Sequence, residues 1–532
     1  MTRAVNVCVI GSGVAGGTVC KHLLAAGVSD VLMIEQGGVV PMRDPRTWQD
    51  YAMAGRNPFA GAGIPASEYR NVGTAEYSLE DRLLQLRGGS TLHWDGWSYR
   101  LNPEDFRLRT NAGCGADWPI SYDELEPFYA EAERALGVAG DATDAGHPPR
   151  SGPFPLPPMP FQLSNDPFID AMERLQYSVQ HHCLARNTLP INDMPQCMTF
   201  GTCHYCPIGG RFTGDQLIDR LETQDGFRIM TNTAVRRILF SAKRKASGVE
   251  LVDRESGRVF TVEAETIVVC GGAIQTPKLL LQSANPFWPD GVGNDSGHVG
   301  RFLFNHLRSD RVGALPSNKL HLTNELDAYD LVSSRHFDSE RFQARGKFLL
   351  TCEPVYERSI ADRMADGWSV EQISHELDGH VFYQINAQIE QCPEPENLIR
   401  LGKAVGADGM PSIEIAYSID DRTMATHVAA KTVCDEILQA MGCELAGAMR
   451  PGKLPGPTAH HMGTCRMTAS PGDGVVDPHL MIHGTDNVFV CGSSVFPSGG
   501  AANPTLTITA LAQRLGIHLA TDKRVAPAPG PG

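Results

Sequence analysis

The 532-residue sequence lacks an excess of positive charge: Lys and Arg total 46 against 61 Asp and Glu, a net charge of −15. Proteins that follow a phosphate backbone carry basic stripes, so nucleic acid is excluded as a partner class. No apolar stretch approaches the ~18 residues a membrane-crossing helix needs, and no membrane span is expected. The N-terminus enters the alternating Val5, Val7 and Val9 with no room for a charged region followed by an apolar one, so no export signal is expected. The expected location is therefore cytoplasmic, with the periplasm reached only if a partner subunit carries the chain there. Internal repeats and low-complexity tracts are absent, and 54 Gly and 36 Pro are ordinary globular usage. Fourteen cysteines are present but form no disulfide framework; Cys8, Cys270 and Cys491 sit inside apolar runs, as buried thiols of a reducing compartment do.

What is present begins with residues 5–10, VNVCVI, an apolar run with the texture of a buried strand. GSGVAG follows as a tight turn, and Val19, Leu23 and Leu24 continue as the apolar side of a helix. A second short run, Val31 to Ile34, ends at Glu35, which completes a strand, glycine turn, helix and strand in the length of one βαβ unit. Parallel-sheet-like runs return at Ile267 to Cys270 and at Val488 to Cys491. Between them lie a Pro-rich stretch at 141–161 and an alternating strand, VFYQINAQIEQ, at 381–391. The fold expected is α/β: a Rossmann-like domain assembled from 1–100, 220–310 and 445–525, with an inserted α+β substrate domain from 101–219 and 311–444. A length of 532 residues suits such a division. The last residues, 526–532, are APAPGPG, expected as a flexible tail.

Gly11, Gly13 and Gly16 form G-x-G-x-x-G directly after the strand and at the start of the helix. The first glycine makes the turn, the second lets backbone amides approach a pyrophosphate, and the third lets helix pack on strand. Glu35 stands where a carboxylate accepts both ribose hydroxyls, which disfavours a 2′-phosphorylated cofactor. NAD and FAD both satisfy this unit.

Further segments distinguish them. RGGSTLHWDGW at 87–97, GGAIQTPKLLLQSA at 271–284, VGRFLFNH at 299–306, HHMGTCRM at 460–467 and VFVCGSSVFPSGGAANPTLT at 488–507 follow one another in the order of the glucose–methanol–choline (GMC) flavoprotein oxidoreductases, which the chain resembles along nearly its whole length. The resemblance implies a GMC-type fold and FAD as cofactor. Gly88 and Gly89 would lie along the flavin, and Gly492 would end the strand that delivers the chain to it. Asn503, Pro504 and Thr505 would open a helix whose amides face the electron-rich flavin edge. Alcohol oxidation through a flavin needs a protein base, for which histidine is suited by an unperturbed pKa of about 6.5. The H-x-x-G-T pattern places that base at His460 rather than His461, and Asn503 would hold the substrate oxygen. His93, followed by Trp94, is similar to the histidine that some GMC relatives bond covalently to the flavin. Asp95 departs from the pyranose-oxidase pattern at that loop.

Cys197, Cys203 and Cys206 form a local concentration in QCMTFGTCHYCPIGGR, near a C-P-I-G stretch similar to one in bacterial sugar dehydrogenases that carry an iron–sulfur cluster. The adjacent Cys-Cys pair of those proteins is missing, since Gln196 precedes Cys197, so a structural thiol loop is the primary expectation. On the 381–391 strand, Gln384, Asn386, Gln388 and Glu390 share one face, either solvated or hydrogen-bonding a sugar. The expected activity is oxidation of a secondary hydroxyl of a sugar or glycoside, at C3 among the candidates. Alternatives are the catalytic subunit of a dehydrogenase that passes electrons to a cytochrome, iron–sulfur or small partner subunit, and a flavin-bound lyase of the hydroxynitrile type.

Overall fold

The computed structural model describes residues 4–80, 82–161, 163–198, 203–317, 331–333, 345–355, 367–372, 379–406, 408–447 and 455–521; the expected tail at 526–532 lies outside them. Val5–Ile10 is the strand its apolar run predicts, with Val7, Cys8 and Val9 fully buried. It pairs in parallel with Val31–Ile34 on one side and with the far half of Val259–Val269 on the other. Phe227–Met230 extends the sheet beyond Val31–Ile34, and Val488–Val490 pairs in parallel with Val259–Val269. The near half of Val259–Val269 turns away into an antiparallel meander with Lys245–Asp253 and Thr233–Ala242. A seven-stranded sheet is thus closed by segments from both ends of the chain. Helix Val14–Ala25 and the closing helix Thr505–Thr521 pack against each other beside it. Gly516 permits this contact, because a Cβ there would come 2.7 Å from the His22 Cβ.

A second, antiparallel sheet has Leu307–Ser317 and Gly379–Ile389 at its centre, with Phe348–Val355, Leu331–Ser333, Glu444–Gly447 and Gly456–Pro457 around them. The alternation along Gly379–Ile389 divides its two faces. Tyr383, Ile385, Ala387 and Ile389 enter the core of this layer with Leu350, Ile437 and Leu438. Gln384, Asn386, Gln388 and Glu390 are also nearly buried, so the opposite face is covered rather than solvated. On that face Asn386 meets Arg308 and Glu353 of the same sheet, and Gln388 reaches Ala501 and Asn503. Leu398–Val405, Pro411–Ala416 and Tyr69–Asn71 form a small third sheet. Among the described residues no helix is long and apolar enough to cross a membrane.

Candidate active site

The parallel strands end where ligands bind in open α/β sheets, outside their carboxyl ends. A cavity of about 1070 Å³ begins there and extends beneath the antiparallel sheet. At one end it is lined by Gly11, Ser12, Gly13 and Glu35, and at the other by His460, Asn503 and Gln388. Glu35 is buried by the strand it terminates. One carboxylate oxygen accepts from the Ser12 amide at 3.0 Å and its hydroxyl at 2.6 Å, and the other from the Gly37 amide at 2.9 Å. Burial raises its pKa, while these hydrogen bonds oppose the rise. The Ser12 hydroxyl in turn accepts from the Gly88 amide at 3.1 Å, which ties the glycine turn to the 87–97 loop. Spacing alone did not single out Ser12.

A Cβ built on Gly13 meets nothing within 4 Å, so the second glycine borders open space within the cavity. That opening, the buried acid beside it and the long cavity fit a dinucleotide. Gly89, His93, Trp94, Gly492, Pro504 and Thr505 line the same cavity. The Trp94 indole donates to Phe212 O at 2.8 Å, fixing the ring in the wall. His93 Nδ1 is buried without a partner, while the His93 carbonyl accepts from His204 Nδ1 at 2.8 Å. Burial, with His204 and Arg211 nearby, lowers the His93 pKa to about 4, so its imidazole is neutral at pH 7.

His460 is placed by the pairing of two distant segments. The bridge between Phe304 and Met462 runs antiparallel, with Phe304 N to Met462 O at 3.1 Å and Met462 N to Phe304 O at 2.9 Å. Two residues on in each direction, His306 faces His460, with their Nδ1 atoms 3.0 Å apart. His306 Nε2 lies 3.0 Å from Gly500 O, and His460 Nε2 lies 3.1 Å from Asn503 Nδ2. Burial, then His306 and His461, hold the His460 pKa well below 6.5. The sequence motif ended on His306 without revealing its partner, which only this register supplies. His461 also lines the cavity, but it is held by other partners: its Nδ1 is 2.6 Å from Tyr77 Oη, which accepts from Asn305 Nδ2 at 3.0 Å. Asn305 Oδ1 also accepts from the His460 amide at 3.2 Å, so Tyr77 and Asn305 brace the histidine loop from behind.

The polar face of Gly379–Ile389 divides. Asn386 and Gln388 line the cavity, while Gln384 and Glu390 are buried outside its lining. Glu390 accepts from the Lys347 amide at 3.2 Å and from Arg422 at 3.3 Å. Gln388 Nε2 donates to Ala501 O at 2.7 Å and to Asn503 Oδ1 at 2.9 Å. Asn386 joins Arg308 at 2.8 Å and Glu353 at 2.8 Å, and Arg308 pairs with Glu353 at 3.1 Å. Arg308, Glu353 and Thr351 are cavity-lining residues whose long-range assembly the sequence pattern could not indicate.

Among the described residues, the set of three His, Cys, Asp or Glu side chains within 4.8 Å of one another is Asp141, Asp144 and His181, and Cys197, Cys203 and Cys206 do not form such a set. Cys197 is tied back through its amide to Asn187 O at 2.7 Å, whereas Cys203 lies in the cavity wall beside His204.

Comparison with known proteins gives a consistent likeness. The GMC oxidoreductase family models match residues 162–308 and 393–512. The fructose dehydrogenase large subunit of Gluconobacter japonicus is 27% identical, over 98% of this chain and 98% of that protein. The 6‴-hydroxyparomomycin C oxidase of Streptomyces lividus is 28% identical, over 98% of this chain and 93% of that protein. Among solved structures, a pyridoxine 4-oxidase from Mesorbium loti superposes with a TM-score of 0.66 at 21% identity, covering 97% of this chain and 99% of that one.

Proposed function

The chain belongs to the GMC oxidoreductases, FAD-binding enzymes that act on CH–OH groups, and from that premise we propose that it oxidises a secondary hydroxyl of a sugar or glycoside to the ketone, with C3 among the candidate carbons. The observation that carries the reading is the His460–Asn503 pair, 3.1 Å apart, in the same cavity as the glycine turn and Glu35. Bound FAD would supply the hydride acceptor. Gly11, Ser12, Gly13 and Glu35 would hold its adenosine and pyrophosphate end, Gly88, Gly89, Trp94, Gly492, Pro504 and Thr505 its flavin end, and His93 would be its point of attachment. His460 takes the hydroxyl proton at Nε2, and an Asn503 N–H donates to the substrate oxygen, where negative charge grows as the proton leaves.

The sugar reading is supported by the relatives that are a fructose dehydrogenase subunit and a hydroxyparomomycin oxidase. It is also supported by the polar wall of Arg308, Glu353, Asn386 and Thr351, which offers donors and acceptors to a polyhydroxylated ring. The likeness to a large subunit favours a second reading of the oxidative half-reaction, in which electrons leave to a partner protein rather than to oxygen.

The holoenzyme should be mixed anaerobically with D-fructose, D-gluconate, methyl β-D-glucoside and paromamine while flavin bleaching is followed near ~450 nm, a general property of flavins. At least one sugar or glycoside should bleach it, with a new ketone in the product by NMR, whose position identifies the carbon oxidised. Bleaching by simple alcohols alone would overturn the substrate class. Because the His460 pKa lies below 6.5, the rate should rise with pH through that lowered value and be level at pH 7. His460→Ala should slow bleaching by about 10² to 10⁴ with flavin retained. Loss of bleaching in His461→Ala with normal reaction in His460→Ala would reassign the base.

A further inference from the structure

Four side chains link two consecutive carbonyls across the cavity wall, and the proton directions in that chain are fixed from both ends. Gly500 O can only accept, so His306 Nε2, 3.0 Å away, carries a proton. A neutral His306 then offers a lone pair at Nδ1, and burial lowers its pKa to about 4. His460 Nδ1, 3.0 Å from that lone pair, must donate, which leaves the lone pair of His460 on Nε2. From the other end, Ala501 O can only accept, so the Gln388 atom 2.7 Å away is the amide nitrogen. Its second proton points to Asn503 at 2.9 Å, which fixes the carbonyl of Asn503 towards Gln388 and the NH₂ towards His460.

We infer that Gln388 is a positioning residue for proton removal: it holds the Asn503 amide with NH₂ towards the cavity, so that Asn503 donates to His460 Nε2 at rest and to the substrate oxygen in the reaction. The inference rests on His460 being the base. Gln388 is nearly buried, and its amide nitrogen is engaged by Ala501 and Asn503. It belongs to the antiparallel sheet, whereas His460 and Asn503 lie in segments that return to the nucleotide domain. One residue of the inserted domain therefore sets the orientation of the group beside the base.

The test uses the panel member that bleaches the wild-type holoenzyme fastest, with Gln388→Met, Gln388→Glu, Asn503→Ala and the double variant Gln388→Met/Asn503→Ala, each checked for full flavin content. Gln388→Met keeps the length and cannot donate; it should lower the limiting reduction rate by about 5- to 50-fold and change the half-saturating substrate concentration by less than about twofold. In the Asn503→Ala background it should change the limiting rate by less than about twofold, because the residue it acts through is gone. At pH 8, Gln388→Glu, closest in shape but unable to donate when ionised, should be slower than Gln388→Met. Multiplying effects in the double variant, a tenfold rise in half-saturation with an unchanged limiting rate, or wild-type behaviour of Gln388→Glu would each overturn the inference. Normal bleaching by His460→Ala would instead overturn the assignment of the base, so the two failures are told apart.

Discussion

Two glycines three residues apart separate folding from binding at the scale of single residues. A Cβ on Gly16 would lie 2.0 Å from Gly11 O, a backbone atom with nowhere to move, whereas one on Gly13 meets nothing within 4 Å. Gly13→Val should therefore fold with a circular-dichroism spectrum like the wild type and come off the column colourless, while Gly16→Val should fail to fold. Full flavin occupancy in Gly13→Val would refute the assignment of the pyrophosphate site. His93 carries a second prediction: acid precipitation should leave the yellow colour in the wild-type pellet and release it in His93→Ala. Wild-type colour in the supernatant would mean a flavin held without a bond. The glycine turn and Glu35 were legible because their spacing is local, running over the 25 residues from Gly11 to Glu35. His306, Tyr77 and Ser12 were not, since their importance lies in partners up to hundreds of positions away.

Among the elements, the antiparallel contact between 299–306 and 460–467 decides where the base stands. Gly463 has φ +77° and its Cβ would approach Phe302 O to 2.0 Å, so Gly463→Ala must either break the contact or shift the whole loop. The variant is expected to lose at least about 2 kcal/mol of stability, read as a lower thermal midpoint, and to reduce its flavin more than tenfold more slowly. An unchanged midpoint would show that the contact gives way more easily than its geometry implies. Strand identity was readable from sequence here, and strand consequence was not. The alternation at 381–391 correctly marked one face, but whether each polar side chain meets the cavity depends on where the strand crosses it. Asn386 and Gln388 lie at the crossing; Gln384 and Glu390 lie beyond it.

For the molecule as a whole, buried neutral histidines make stability depend on acid. His93, His306 and His461 are lowered to about 4 and His182 to about 3, each chiefly by burial. In the unfolded chain these groups take up protons near pH 6.5, while the folded state resists until about 4. Their contribution is therefore complete above about 6.5 and lost progressively as pH falls to about 4. The thermal midpoint should be level from pH 8 to 7 and fall by several degrees by pH 5; a flat profile down to pH 4.5 would show that the folded protein accepts these protons without penalty.

The same sheet sets a schedule for biosynthesis. Val5–Ile10 lies beside Val259–Val269, and Val488–Val490 takes the other side of that strand. At roughly 5 to 20 residues per second, the first strand leaves the ribosome more than ten seconds before its parallel neighbour and longer still before the sheet can close. Through that interval apolar strand edges stay unpaired, a period in which chaperones shield such chains. Cofactor loading then becomes a post-translational event, and a ribosome-stalled chain ending near residue 440 should bind no FAD while a chain released at its full length should.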